Sequence, residues 1–293
     1  MKAIQKSILL PRLGFTNDVM ADMYGPLTEL IGIWSGKNGV NLIAVPDQKG
    51  GFNLLIAPYY ETITVTALNS PTPNRGLKTI ENIPTLMYTL MIHNADDDTL
   101  MHAENGIWEL LDPSNNNGFN LARITTVPHG DAVMALGKSS SSKGRPDLNT
   151  QLSSLPTPVN PLDKFHLGYT TGYGPSPIPG FRTGAPNFFL SEYLDNQEKL
   201  GRTVINSTVL TVSTLNNGGI SNIPSIDKNA NATTFNATFW LETVKDAATG
   251  KTFPQLQYSQ EIMIDFPANA SADKFKSILI HWPHINVNTL LKQ

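Results

Sequence analysis

No cysteine occurs among the 293 residues. That excludes disulfides, thiolate nucleophiles, iron–sulfur clusters and Cys-type zinc sites. Charge is scarce as well. Only 15% of the chain is Asp, Glu, Lys or Arg, and the net charge is −3. Basic residues are scattered singly, so no stretch could coat a phosphate backbone and no nucleic-acid partner is expected. Long apolar runs are missing too. No segment approaches the ~18 residues of a membrane-crossing helix. In "MKAIQKSILLPRLGF" the apolar run stops at Pro11 after about four residues, short of a secretory signal. These absences read as a cytoplasmic protein without signal peptide or membrane span. The Asn-x-Ser/Thr sequons at Asn206, Asn231, Asn236 and Asn269 are then accidents of an Asn-rich chain, since glycosylation needs secretion.

What the chain does have favours strands and turns: much Asn, Ser and Thr, with 22 Gly and 21 Pro. A short leading helix is expected from Met20, Met23, Leu27, Leu30 and Ile31 at helical spacing, interrupted near Gly25-Pro26. Strands follow at 33–46, 54–68, 85–93, 99–111, 119–127 and 131–138, with Asn94–Asp98 and Pro128-His129-Gly130 as reversals between neighbours. Strands resume at 203–215, 232–244, 253–266 and 285–292. In 253–266, Leu256, Tyr258, Ile262, Ile264 and Phe266 share a face, opposed by Gln255, Gln257, Ser259, Glu261, Met263 and Asp265. Such alternation predicts one buried face and one wet face. About ten antiparallel strands at hairpin spacing give an all-β, up-and-down barrel of the calycin sort, wide enough for a cavity.

The chain is read as one domain, 1–293, interrupted by a Pro/Gly/Ser-rich insertion over 139–200 that lacks apolar periodicity. The insertion is rich in aromatics (Phe165, Tyr169, Tyr173, Phe181, Phe188, Phe189, Tyr193), which implies that it packs onto the barrel or a neighbouring subunit. One short helix is expected in "NFFLSEYLDNQEKLG", ending at Gly201.

Three stretches, taken in order, resemble the nitrobindin-like haem-binding β-barrels. "LIGIWSGKNG" (30–39) is similar to that family's Gly-x-Trp-x-Gly-x-Gly-x-Gly opening, with Asn38 in place of one glycine. "LMHAENGIWELL" (100–111) resembles its His-x-Glu-x-Gly-Phe-Trp segment. "FNLARITTVPHGDAVMALGK" (119–138) resembles the hairpin that follows. The end of the chain, "YSQEIMI" and then "HINVNTLLK", is similar as well. The resemblance spans about two thirds of the chain and skips most of 139–200, which is far longer than the family's usual connection.

The resemblance implies haem b as cofactor and matches His284 to the family's proximal histidine, the iron ligand. His281, in the same stretch, is the alternative. Read from the residues alone, both are as consistent with exposed histidines near a strand start, and their spacing makes a poor two-histidine metal site. His102 and Glu104 lie two apart on a strand and so share a face. They either position a water or a propionate, or form a structural pair, which is the favoured reading. Trp34 and its glycines fit packing at the barrel end or contact with ligand. Asp96–Asp98 lacks the spaced ligands of a calcium loop. No phosphate loop, dinucleotide fingerprint or nucleophile elbow is present.

By the resemblance, ferric haem in such a barrel acts on NO and peroxynitrite, isomerising the latter to nitrate, or is weakly peroxidase-like. The competing reading is a non-catalytic carrier of a fatty acid or other apolar ligand. A third is a structural module whose insertion mediates oligomerisation. The expected partners are a small molecule in the barrel cavity and a second copy of the chain in a homodimer.

Overall fold

The computed structural model describes residues 17–46, 52–77, 80–148, 152–162, 176–267 and 279–293. Helix α1 (Asn17–Tyr24) runs into a 3₁₀ turn, Gly25–Leu30. The strands then come in the order β1 (Gly32–Pro46), β2 (Phe52–Ala67), β3 (Thr72–Arg75), β4 (Ile80–Ile83), β5 (Thr85–Asn94), β6 (Leu100–Leu110), β7 (Leu121–Val127) and β8 (Asp131–Lys143). After them stand β9 (Thr157–Pro158), helix α2 (Asn187–Lys199), β10 (Arg202–Ser213), β11 (Gly219–Asn222) and helix α3 (Pro224–Asn229). Three long strands close the chain: β12 (Asn231–Asp246), β13 (Thr252–Pro267) and β14 (Leu279–Lys292).

Ten of these strands form a closed ring, β1-β2-β5-β6-β7-β8-β10-β12-β13-β14, and β14 pairs back onto β1. Neighbours are antiparallel throughout, as the hairpin spacing predicts. Side-chain alternation explains the closure. In β5 the residues Leu86, Tyr88, Leu90 and Ile92 are buried while Met87, Thr89 and Met91 are exposed. A sheet with one apolar face can bury it by curling on itself, which also removes the open edges.

The inside of the barrel is layered. At the end sealed by the 3₁₀ turn, Leu27 and Leu30 pack with Trp34, Trp108, Phe239, Leu256 and Leu290. Burying each such side chain contributes roughly 1.5–3 kcal/mol. Above this apolar plug lies a layer of buried charged and phenolic side chains. Above that layer the barrel is hollow.

Two glycines are there because backbone or ring comes too close for a side chain. A Cβ at Gly39 would lie 2.3 Å from the Tyr59 ring, and one at Gly137 would lie 1.8 Å from the Thr211 carbonyl oxygen across the β8–β10 pairing. Gly137→Ala must push those strands apart. The expected loss is about 1–3 kcal/mol, read as a lower urea midpoint. Gly219→Ala, where nothing lies within 4 Å, should stay within about 0.5 kcal/mol of the parent.

Two sequence expectations need correction. Ser139–Lys143 do not begin the irregular insertion; they continue β8 and pair with Asn206–Leu210. Hydroxyl contacts such as Ser141 Oγ to Thr208 Oγ1, 3.1 Å, and Ser142 Oγ to Ser207 Oγ, 3.0 Å, let a serine run serve as strand. Nor is the Gln255–Gln257 face of β13 wet, since both glutamines are fully buried. Helix α2 covers them. Its Leu190 and Leu194, with Phe181, pack against Val40, Leu42, Trp240, Ile285 and Val287 on the outer wall. Phe165, Tyr169 and Tyr173 lie outside the described residues. No helix among the described residues is long and apolar enough to cross a membrane.

Candidate functional site

The last strand is longer than its pattern shows. It begins at Leu279 rather than 285, so His281 and His284 both lie within it. Residues three apart on a strand point to opposite faces. His284 turns into the barrel and His281 turns out. The outward His281 is tied through Nδ1 to Asp265 Oδ1 on the neighbouring strand and does not line the hollow.

The hollow is a cavity of about 220 Å³. Its apolar lining comes from barrel residues such as Ile43, Ile92, Met101 and Ile262, and from Ile220 and Ile226 of the β11–α3 segment that crosses one side. Polar groups are few: His284, His102, His129, Asp131 and, on the floor, Asn41, Gln260 and Asn286.

His284 is held by a 2.7 Å contact between its Nε2 and Asn41 Oδ1. Burial, followed by the fields of His102 and His129, pushes its pKa down to about 3. The ring is therefore neutral near pH 7. A neutral imidazole keeps one lone pair, and the Asn41 contact decides which nitrogen bears it. On the other side, His102 Nδ1 lies 3.3 Å from His129 Nε2, with the rings 5.3 Å apart. His129 comes from the β7–β8 turn, and burial followed by His102 lowers its pKa. Asp131 is raised by burial, and its Oδ1 has no partner among the described residues.

Glu104 shares His102's face, and its Oε2 is 3.6 Å from His102 Nε2. It belongs mainly to the layer below. Arg123 Nη2 donates to Glu104 Oε1, its Nε to Tyr88 Oη at 3.0 Å, and its Nη1 to Gln260 Oε1 at 3.1 Å. Burial alone would raise the Glu104 pKa; the Arg123 guanidinium, with His102 and Tyr88, overrides it and holds the carboxyl well below the usual range. Beside this pair stands a second buried acid, Glu61, whose Oε2 accepts from Tyr258 Oη at 2.8 Å and Asn288 Nδ2 at 2.9 Å. Tyr59 Oη lies 2.8 Å from Tyr258 Oη.

Trp34 is not part of the cavity. It sits in the apolar plug at the opposite end, 1% exposed, with its Nε1 donating to the Leu30 carbonyl and Lys292 over its ring. The structure thus brings His284, His102 and, at one remove, Glu104 to one place, and leaves His281 and Trp34 elsewhere. Sequence reasoning missed Asn41, Arg123 and Glu61 and read His129 only as part of a reversal.

A model for the "THAP4-like, heme-binding beta-barrel domain" matches residues 23–171, half of the chain. The chain belongs to this haem-binding barrel family. The matched span carries Trp34, Glu61, His102, Glu104, Arg123 and His129; the strand with His284 lies beyond it. Among solved structures, one titled "Crystal Structure of Rv2717c from M. tuberculosis" is similar, with 14% identity and a TM-score of 0.44 over 93% of this chain and 99% of that one. No curated protein matches.

The residues present fit the family's cofactor, haem. Iron in a porphyrin already has four nitrogens, so one further donor from the protein, such as a neutral imidazole, suffices. His284 offers such a donor on the cavity wall, and no group of three His, Asp or Glu side chains among the described residues is placed to hold a bare metal ion. At 220 Å³ the cavity is below the ~300–1,000 Å³ of an enclosing ligand pocket. It does not surround a whole macrocycle.

Proposed function

We propose that this haem barrel takes His284 as its single protein ligand to iron, and that the loaded protein acts on NO or isomerises peroxynitrite to nitrate. The observation that carries the reading is one uncharged imidazole, fixed by Asn41, on the wall of a mainly apolar cavity. Ferric iron, when bound, supplies the electron-accepting centre for an oxygen or nitrogen ligand. The chain contributes the rest. Ile43, Ile92, Met101 and Ile262 keep that ligand dry, and the His102–His129 pair adds a polar patch to the same cavity.

Conversion of peroxynitrite to nitrate rearranges the same atoms and consumes neither electron nor added proton. It therefore asks for a dry wall and a metal rather than a proton shuttle. Vigorous peroxide heterolysis asks for more, namely a committed acid–base group over the iron. Glu104, the acid that the sequence singles out, lies below the cavity and is paired with Arg123. The fatty-acid carrier reading lacks a counter-charge, because no Lys or Arg among the described residues lines the cavity.

Reconstitution with haem tests this directly. The wild type and His281→Ala should both take up haem with a Soret band, and His284→Ala should lose it. A colourless wild type, or a His284→Ala protein with an unchanged Soret band, sinks the assignment. Peroxynitrite decay to nitrate, followed with and without haem, tests the activity separately.

A further inference from the structure

The barrel interior holds two carboxylates and one guanidinium just beneath the cavity floor. Glu61 is 1% exposed, Glu104 5% and Arg123 2%. Arg123 is committed: its donors go to Glu104, Tyr88 and Gln260. Glu61 is left without a cation of its own among the described residues. Both of its donors, Tyr258 Oη and Asn288 Nδ2, go to Oε2, and Oε1 has no partner among the described residues. The ionisable groups facing it are Tyr258 on β13, Tyr59 on β2, and the Glu104–Arg123 pair on β6 and β7, whose charges offset one another. Neither phenol can share the charge by ionising, since burial raises both well above their ordinary value.

An unpaired buried carboxylate is costly for stability. The position of this one relates it to the cavity. On β14 the inward positions step from His284 to Asn286 on the floor and then to Asn288, which holds Glu61. Asn288 is thus about 13 Å along the strand from His284 at ~3.3 Å per residue. The space between is protein interior, where charge is poorly screened.

We infer that Glu61 is the charge complement of the cofactor, selecting in its ionised form a tetrapyrrole whose metal core carries net positive charge over an isosteric one whose core is neutral. This rests on the haem reading and names the selectivity of that same site. Burial raises the Glu61 carboxyl to about 7, against the opposing donors Asn288 and Tyr258. The selectivity therefore grows as pH rises through neutrality. By reciprocity, a cationic core makes Glu61 release its proton.

The test titrates full-length wild type and Glu61→Gln with ferric protoporphyrin IX and with zinc protoporphyrin IX, one pH unit either side of about 7. Both metals take an axial imidazole, so shape and ligand are held nearly constant. In the wild type, the ratio of ferric to zinc affinity should rise on the order of five- to tenfold from the lower pH to the higher, the size of a unit-charge interaction at ~13 Å and an effective dielectric of ~20. In Glu61→Gln the ratio should be lower at the higher pH and flatter. His129 titrates in the same cavity, so the readout is the difference between the proteins, not either profile alone. Glu61→Met, which removes the charge with a different shape, serves if the glutamine variant fails to fold. Equal ratios in wild type and variant at both pH values overturn the inference and leave the haem reading intact. Failure of ferric protoporphyrin IX to bind the wild type overturns both.

Discussion

Arg123→Met should cost about 3–5 kcal/mol of folding stability, the usual penalty for removing one partner of a buried ion pair. The loss would appear as a sharply lower urea midpoint at neutral pH. Arg123 is 2% exposed and reaches Glu104, Tyr88 and Gln260, with four aromatic rings 5.2–5.7 Å from its guanidinium carbon. Methionine fills similar space but leaves Glu104 charged in an apolar surround. The double variant Arg123→Met, Glu104→Leu should recover most of the loss, because replacing a buried pair by apolar residues is often neutral. A double variant as unstable as the single one would show that packing, not stranded charge, dominates.

The pH dependence adds a second check. Glu104 is held low in the folded chain, so its contribution is present above the unfolded carboxylate pKa and is lost as pH falls through the folded value. Without Arg123, burial wins and the sign reverses. The variant should then lose stability as pH rises, and its gap from the wild type should narrow in acid.

The barrel was legible because most of its strands kept a period of two and were bounded by turn residues. The inner charges were legible in the same pattern but were not read. Arg123 shares a face with Leu121, Thr125 and Val127, and Glu61 with Ile63 and Val65. A charge at an inward position of an apolar face is a buried charge. Which acid Arg123 takes could not be read, because that depends on the order of strands around the ring. His284 shows the limit most sharply. With the last strand starting at 285, His281 and His284 had no assigned face and no parity argument could separate them. The start was hidden because β14 is buried on both sides, by the interior and by the segment carrying α2, so apolar and polar residues do not alternate with exposure. The same cover hid the wet-looking glutamines of β13.

That cover creates the second large effect. Glu242 lies on the outer wall beneath α2, 2% exposed, with its Oε2 accepting from Gln255 Nε2 at 2.6 Å and its Oε1 without a partner among the described residues. Gln255 in turn accepts from Gln197 of the helix at 2.8 Å. Burial drives the carboxyl up to about 8, against the Gln255 hydrogen bond and the field of Arg145. Arg145 is itself engaged by Asp195 and Glu198 on the helix. A raised folded pKa means that the stabilising state is the protonated one. The contribution is intact below the unfolded value of 4.5 and is lost as pH climbs through about 8. Glu242→Gln keeps the shape and the acceptor without the charge. It should match the wild type in acid and exceed it by on the order of 3–5 kcal/mol above pH ~9, since each pH unit between the unfolded and folded values is worth ~1.4 kcal/mol. Urea midpoints across that range decide it. Parallel stability curves for the two proteins would mean that water reaches Glu242 and that α2 does not seal the outer wall.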